Sequence, residues 1–167
     1  MTLNRRQLLV HGAALLLGAP ALTRAAGAAD TAVRTALDTS PLIYLTPLQK
    51  DGRESSCQAE VWFVPHEGDV YVSTATGAWR AVAVTRGLTR ARIWVGDFGV
   101  WKRAKEAYRA APTTLVEGRL ETDAARQAQV LERFGGKYVA EWDKWGPRFR
   151  DGLADGSRVL LRYSLVS

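Results

Sequence analysis

Apolar and polar residues alternate along the chain from Pro41 onward, with the two-residue period of β-strands. Three runs share this alternation and are rich in β-branched and aromatic residues: Leu42–Leu48, Cys57–Val64 and Asp69–Thr74. Asp51-Gly52 separates the first two runs and Pro65-His66-Glu67-Gly68 the next two, and glycine suits such tight turns because it accepts positive φ without steric cost. The pattern therefore predicts three strands folded back on one another as an antiparallel meander.

A turn of small residues follows the meander and leads into a short basic segment. Gly77-Ala78 precedes a predicted helix over Trp79–Arg86, and a further strand is predicted over Ala91–Val95. The free N–H groups at a helix start attract anions, and Arg80 adds a fixed positive charge at that point. This order of elements predicts a pocket for an anionic group, such as the phosphate of a cofactor.

The second half of the chain alternates between helical and extended patterns, without a repeat or an internal linker. Proline and glycine mark the predicted ends: Pro112 stops one helix, Gly135-Gly136 closes another, and Pro147 begins a short one. The predicted elements are a helix over Val100–Ala110, a strand over Thr113–Glu121, a helix from Asp123 to Phe134, short helical turns over Lys137–Trp145, and a strand over Arg158–Val166. Gly152 and Gly156 are predicted to lead into that last strand.

The N-terminus resembles a twin-arginine export signal. Arg5-Arg6 precedes a weakly apolar run, Leu8–Leu22, which is too short to span a membrane, and Ala26-Gly27-Ala28 offers a cleavage site. An ordinary secretory signal is the alternative interpretation. The prediction is a signal peptide over 1–29, an N-terminal segment over 30–40 and one domain over 41–167. The protein is then exported to the periplasm or beyond, without a stable membrane anchor.

Composition restricts the chemistry that the domain can perform. The formal charge of +6 falls to +3 without the leader, and the basic residues are spread along the chain, which argues against nucleic-acid binding. Cys57 is the single cysteine, and His66 is the one histidine outside the leader, so neither a metal site nor a catalytic relay is predicted. Chemistry carried by a bound cofactor fits a chain with so few nucleophiles and bases.

The meander and the basic turn together resemble the pyridoxamine 5'-phosphate oxidase-like split-barrel superfamily. The resemblance is carried by Tyr71-Val-Ser-Thr, by Gly77-Ala-Trp-Arg80, by the strand at Ala91–Val95 and by Val61-Trp62-Phe63-Val64. It implies a mainly β (α+β) fold: a six-stranded antiparallel split β-barrel with a few flanking helices. Proteins of this superfamily commonly dimerise with the cofactor at the subunit boundary, so a homodimer is expected.

The resemblance also implies a function, an exported oxidoreductase that acts on a small molecule with FMN or the deazaflavin F420, FMN being slightly preferred. The residues implied to hold the cofactor are Gln58, Glu60, Ser73, Thr74, Trp79 and Arg80. Two residues depart from the superfamily's pattern: Ala78 stands where a hydroxyl is usual, and the carboxylate of Glu60 would repel a phosphate. The alternative is a non-enzymatic module that binds haem, another ligand or a protein partner, with no flavin retained.

Overall fold

The structure is a computed structural model that describes residues 20–166. The paired arginines of the predicted signal lie outside the described residues, whereas the end of the predicted leader forms the first part of helix α1. In chain order the elements are α1 Pro20–Thr39, β1 Ile43–Pro47, β2 Ala59–Val61, β3 Val64–His66, β4 Asp69–Ala75, α2 Trp79–Thr85, β5 Arg90–Val95, a 3-10 helix Ala107–Ala110, β6 Thr113–Leu120, α3 Ala124–Lys137, α4 Val139–Asp155 and β7 Arg158–Leu165. Within residues 20–166, no helix is long and apolar enough to cross a membrane.

In the described part of the chain, seven antiparallel strands form one curled sheet in the order β2-β1-β5-β6-β7-β4-β3. The predicted mainly β split-barrel fold is confirmed, but with seven strands rather than six, because the run Cys57–Val64 divides. Its first part pairs with β1, Ile43 opposite Val61, and its last part pairs with β4, Val64 opposite Tyr71. The two outer strands of the sheet are thus consecutive in sequence, and the chain passes from one edge to the other at Trp62-Phe63.

Tyr138, at the junction of α3 and α4, holds this crossing in place. Its hydroxyl accepts a hydrogen bond from the Phe63 N–H at 2.9 Å and lies 2.8 Å from the carbonyl oxygens of both Phe63 and Pro41, to which its single proton can donate. The Trp62 ring stacks on the Tyr138 ring at 4.2 Å. Burial raises the pKa of the Tyr138 phenol, so the hydroxyl keeps its proton.

Two apolar clusters cover the two faces of the sheet. The barrel interior contains Ile43, Val72 and Leu161, and Val33 and Leu37 of α1 close it. On the other face α3 and α4 pack against the sheet through a second cluster, made of Val64, Tyr71, Val130, Phe134, Tyr138, Phe149 and Leu160. This arrangement places α4 directly beside the strands β4 and β7.

Three predictions for the second half are wrong in detail. Residues Val100–Ala110 form turns and a short 3-10 helix rather than one α-helix, with Lys105 and Glu106 at positive φ. Gly135-Gly136 lies inside α3, and Pro147 lies inside the single helix α4.

The Trp142 indole explains why the glycine pair does not end α3. A Cβ on Gly135 would lie only 2.8 Å from that ring, so this glycine makes room for Trp142, as Gly146 does in α4. Tertiary packing therefore overrides the local preference of glycine for helix ends.

Removing the Tyr138 hydroxyl is expected to destabilise the fold. Tyr138→Phe leaves the buried Phe63 N–H without its partner, which lowers the free energy of unfolding by about 1–3 kcal/mol. Chemical denaturation measures the loss. Tyr71→Phe is the control, because the buried Tyr71 hydroxyl makes no regular hydrogen bond to a described residue and interacts only with the partly exposed side chain of Arg126, so its removal should cost less stability. Equal losses in both variants would contradict the role assigned to Tyr138.

Lys137 is expected to make stability depend on pH. Its Nζ is buried, makes no hydrogen bond to a described residue and lies 3.4 Å from the centre of the Phe63 ring. Desolvation lowers the pKa of Lys137 to about 8. The unfolded chain then binds more protons than the folded one between about pH 8 and its ordinary pKa of about 10.4. Lys137 therefore destabilises the fold below pH 8, and this effect is relieved as the pH rises through that window.

The variant Lys137→Met tests the direction of this pH dependence. The variant should be more stable than the parent protein at pH 7, and the difference should vanish near pH 10.5, as measured by urea denaturation across that range. Raised tyrosine pKa values act in both proteins and cancel in the difference. Lys144→Met, at an exposed position of α4, is the control and should show no such trend. A stability difference that is constant with pH would overturn the prediction.

Candidate functional site

A cleft of about 510 Å³ opens where the barrel is split. Strand β3 pairs with β4 only from Asp69 to Tyr71, so the outer edge of β4 beyond Tyr71 has no neighbouring strand. Strand β2 lies across the gap, with Glu60 on its wall. The residues that line the cleft come from both sides of the gap and from α2, α4 and β7: Leu42, Glu60, Val61, Trp62, Ser73, Thr74, Ala75, Ala78, Arg80, Trp145, Phe149 and Arg158.

Arg80 enters the cleft from the first turn of α2. Its Nη1 donates to the hydroxyl of Thr74 at 2.7 Å, and that threonine is only 2% exposed. The Nε of Arg80 is buried and has no hydrogen-bond partner within the described part of the chain. A buried guanidinium N–H without an acceptor is costly, so this atom favours an external acceptor.

Arg158, the first residue of β7, reaches the cleft from the opposite face of β4. It pairs with Ala75 and lies diagonally across from Ser73, donating from Nε to Ser73 Oγ at 3.1 Å and from Nη2 to the Ser73 carbonyl at 3.3 Å. Its guanidinium also lies over the Phe149 ring at 4.6 Å. Burial, and then the charge of Arg80, lower the pKa of Arg158, although arginine stays charged.

Within residues 20–166, neither arginine is neutralised by an acidic side chain. No carboxylate of the described residues lies within 4.0 Å of either guanidinium, whereas Arg109, elsewhere on the barrel, pairs with Glu54 at 2.9 Å. Two half-buried positive charges without a counter-ion repel each other and lose hydration. The arrangement is chemically suited to bind an anion.

The other predicted residues are placed differently. Glu60 lines the cleft, but its Oε2 accepts from the Trp101 N–H at 3.1 Å instead of pairing with an arginine. Gln58 does not line the cleft, and its Oε1 accepts from the Tyr108 hydroxyl at 2.8 Å.

Trp79 also lies outside the cleft, although it is adjacent to Arg80 in sequence. Its ring is 38% exposed and borders a separate depression beside Lys50 and Ser56, with the Arg86 guanidinium 5.9 Å away. The structure thus brings together Glu60, Ser73, Thr74 and Arg80, and leaves out Gln58 and Trp79.

Sequence reasoning missed the residues that complete the cleft. Arg158, Trp145 and Phe149 line it, and the last two form an aromatic wall with Trp62. The local sequence carries only one trace of them, Gly152 in α4. Gly152 is buried, and a Cβ there would lie 2.4 Å from the Arg158 Cγ, so this glycine leaves room for the stem of the arginine.

Comparisons with known proteins support the fold. No protein-family model and no curated protein matches the chain. Solved structures with similar folds include HutZ, the heme storage protein from Vibrio cholerae, at 18% identity and a TM-score of 0.53, with 81% of this chain and 88% of HutZ covered. A putative pyridoxamine 5'-phosphate oxidase from Listeria innocua matches at 13% identity and a TM-score of 0.53, covering 84% and 94% of the two chains.

A third similar structure is a putative 5-nitroimidazole antibiotic resistance protein from Bacteroides thetaiotaomicron, at 7% identity and a TM-score of 0.54, covering 81% of this chain and 78% of that protein. These structural matches establish a shared split-barrel fold, but at such low sequence identity they establish the fold alone. The function must therefore be argued from the cleft itself.

The role of Gly152 in placing Arg158 can be tested by adding one methyl group. Gly152→Ala is expected to lower the free energy of unfolding by about 1–3 kcal/mol, because the new Cβ overlaps the arginine stem. Gly136→Ala is the control, since nothing lies within 4 Å of a Cβ there and alanine favours the helix by about 0.5–1 kcal/mol. In thermal denaturation, the melting temperatures of the two variants should shift in opposite directions. Stabilisation of both variants would contradict this packing.

Proposed function

We propose that the cleft binds the phosphate of a flavin-type cofactor, FMN or the deazaflavin F420, and that the protein is an oxidoreductase acting on a small molecule. One observation carries the proposal: two arginines, Arg80 and Arg158, line the same cleft at the open end of β4, and neither pairs with a carboxylate of the described residues. The buried, unpaired Nε of Arg80 supports it further.

Different residues of the cleft would contact different parts of the cofactor. The two guanidinium groups would hold the phosphate, with the hydroxyls of Ser73 and Thr74 keeping them in position. The rings of Trp145 and Phe149 would contact the apolar part of the ligand and exclude water from it. When bound, a flavin supplies hydride or electron transfer, which requires no protein nucleophile.

Export and dimerisation belong to the same proposal. The twin-arginine route carries proteins that are already folded, often with a cofactor bound, so the predicted leader suits a flavin protein of the periplasm or the cell exterior. Dimerisation is supported by the resemblance to proteins that bind their cofactor at a subunit boundary.

The alternative is a non-enzymatic module that binds haem or another carboxylate-bearing ligand. The similarity in fold to a heme storage protein favours it, and the arginines could also meet propionate groups. However, the residues that line the cleft include no His, Cys or Met to serve as an axial ligand to iron.

An absorbance spectrum of protein isolated from the exported fraction separates the two functions. A yellow protein with flavin bands that bleach on reduction is expected. A strong band near 400 nm would favour the haem module. A colourless protein that gains no thermal stability from FMN or F420 would exclude the proposed cofactor function.

Arg80→Ala is expected to weaken FMN binding about tenfold or more, because it removes a charge-assisted hydrogen bond to the phosphate. Fluorescence titration measures the affinity. Arg86→Ala is the matched control, since Arg86 is exposed at the far end of α2 and lies outside the cleft. Equal affinities of the Arg80 variant and the parent protein would remove Arg80 from the phosphate site.

Trp145→Ala is expected to weaken FMN binding severalfold, because Trp145 contributes to the aromatic wall of the cleft. Trp79→Ala should leave the affinity unchanged, since that ring borders a different depression. The same titration compares the two variants. A larger loss in the Trp79 variant would mean that the flavin ring binds outside the cleft.

A further inference from the structure

Arg158 is the second arginine of the cleft and adds its positive charge to that of Arg80. We propose that Arg80 and Arg158 form a clamp that selects a phosphate monoester, with two negative charges on one phosphorus centre, over a phosphodiester with one. The inference rests on the proposed cofactor function and narrows it. FMN carries a phosphate monoester, whereas the phosphate of F420 is a diester, so the clamp favours FMN.

The anchoring of the two arginines supports a single shared ligand group. Arg80 is bonded to Thr74 and Arg158 to Ser73, so their anchors are consecutive residues of β4. Side chains of consecutive strand residues point to opposite faces of a sheet. The two guanidinium groups therefore reach the end of β4 from its two faces, and both line the same cleft.

Both arginines keep donors for a ligand after these bonds are made. Arg80 uses Nη1 for Thr74, which leaves Nε buried and without a partner. Arg158 uses Nε and Nη2 for Ser73, and its Nη1 makes no hydrogen bond to any described residue. A monoester phosphate offers three terminal oxygens, which suits donors that converge from two sides.

The charge balance favours a dianion over a monoanion. Glu60 is the one acidic residue that lines the cleft, and its carboxylate is hydrogen-bonded to the Trp101 N–H rather than paired with an arginine. A phosphodiester can neutralise only one guanidinium and leaves the other half-buried without a counter-charge. A monoester dianion neutralises both, so the second negative charge adds affinity only because Arg158 is present.

Three ligands with the same isoalloxazine ring test the clamp: FMN, the methyl ester of FMN, which is a phosphodiester, and riboflavin, which has no phosphate. Fluorescence titration of the full chain should show FMN binding about tenfold or more tighter than the methyl ester at pH 7.5. The ratio of the two affinities should fall towards one at pH 5, because the second ionisation of the monoester lies near pH 6.

Titration of the protein groups near the clamp does not produce the expected fall in this ratio. The ionisable groups around the clamp are Glu60 and the buried Tyr163, whose pKa is raised by burial in spite of the charge of Arg80. Tyr163 therefore stays neutral between pH 5 and pH 7.5. A negative charge on Glu60 repels the dianion more than the monoanion, so loss of that charge would raise the ratio, which is opposite to the expected fall.

Arg158→Gln should reduce the preference for FMN over the methyl ester to about twofold or less, while Arg158→Lys, which retains the charge, should keep part of it. Arg150→Gln, at an exposed arginine of α4, is the control and should keep the full preference.

If the parent protein binds FMN and the methyl ester equally and more tightly than riboflavin, the clamp is wrong but the phosphate site stands. If none of the three ligands binds, the proposed cofactor function fails as well. The ratio in the parent protein needs no variant, so the test holds even if Arg158→Gln does not fold.

Discussion

The structure depends on one crossing, where the chain leaves one edge of the sheet and joins the other at Trp62-Phe63. A strand that changes edges must leave some backbone groups without a ladder partner, and buried groups of that kind are costly unless they are satisfied elsewhere. The Tyr138 hydroxyl supplies the missing partner for Phe63 and reaches Pro41 as well. Because the crossing is fixed there, the edge of β4 beyond Tyr71 stays open, and the cleft lies along that open edge.

The charges of the cleft destabilise the protein when no ligand is bound. Arg80 and Arg158, which pair with no carboxylate of residues 20–166, repel each other, and burial removes part of their hydration. The same fold pairs its other semi-buried arginines with acids, as Arg109 with Glu54 and Arg162 with Asp69. Sites of function are where a protein tolerates such local instability, because an incoming ligand removes it.

Local sequence patterns predicted β4, α2, β5 and β7 to within a residue or two, because alternation and turn glycines are local signals. The Glu67-Gly68 turn, with both residues at positive φ, shows how strong such a signal is. Division of the run Cys57–Val64 could not be predicted, since it depends on which strands pair at each edge. Arg158 was missed for the same reason: its contact with Ser73 spans 85 residues of sequence and exists only through the β4–β7 register.

The geometry of the arginines also bears on the choice between a flavin and a haem. A haem carries its two negative charges on separate propionate arms, whereas a phosphate monoester concentrates two charges on one centre. The two guanidinium groups are anchored to the adjacent residues Ser73 and Thr74 and line one cleft, so two charges on one phosphorus centre suit them better than charges on separate arms. The barrel is shared with a heme storage protein, but the cleft of this chain offers iron no His, Cys or Met ligand. The same scaffold can thus serve different ligands, and in this chain the charge arrangement favours a phosphorylated one.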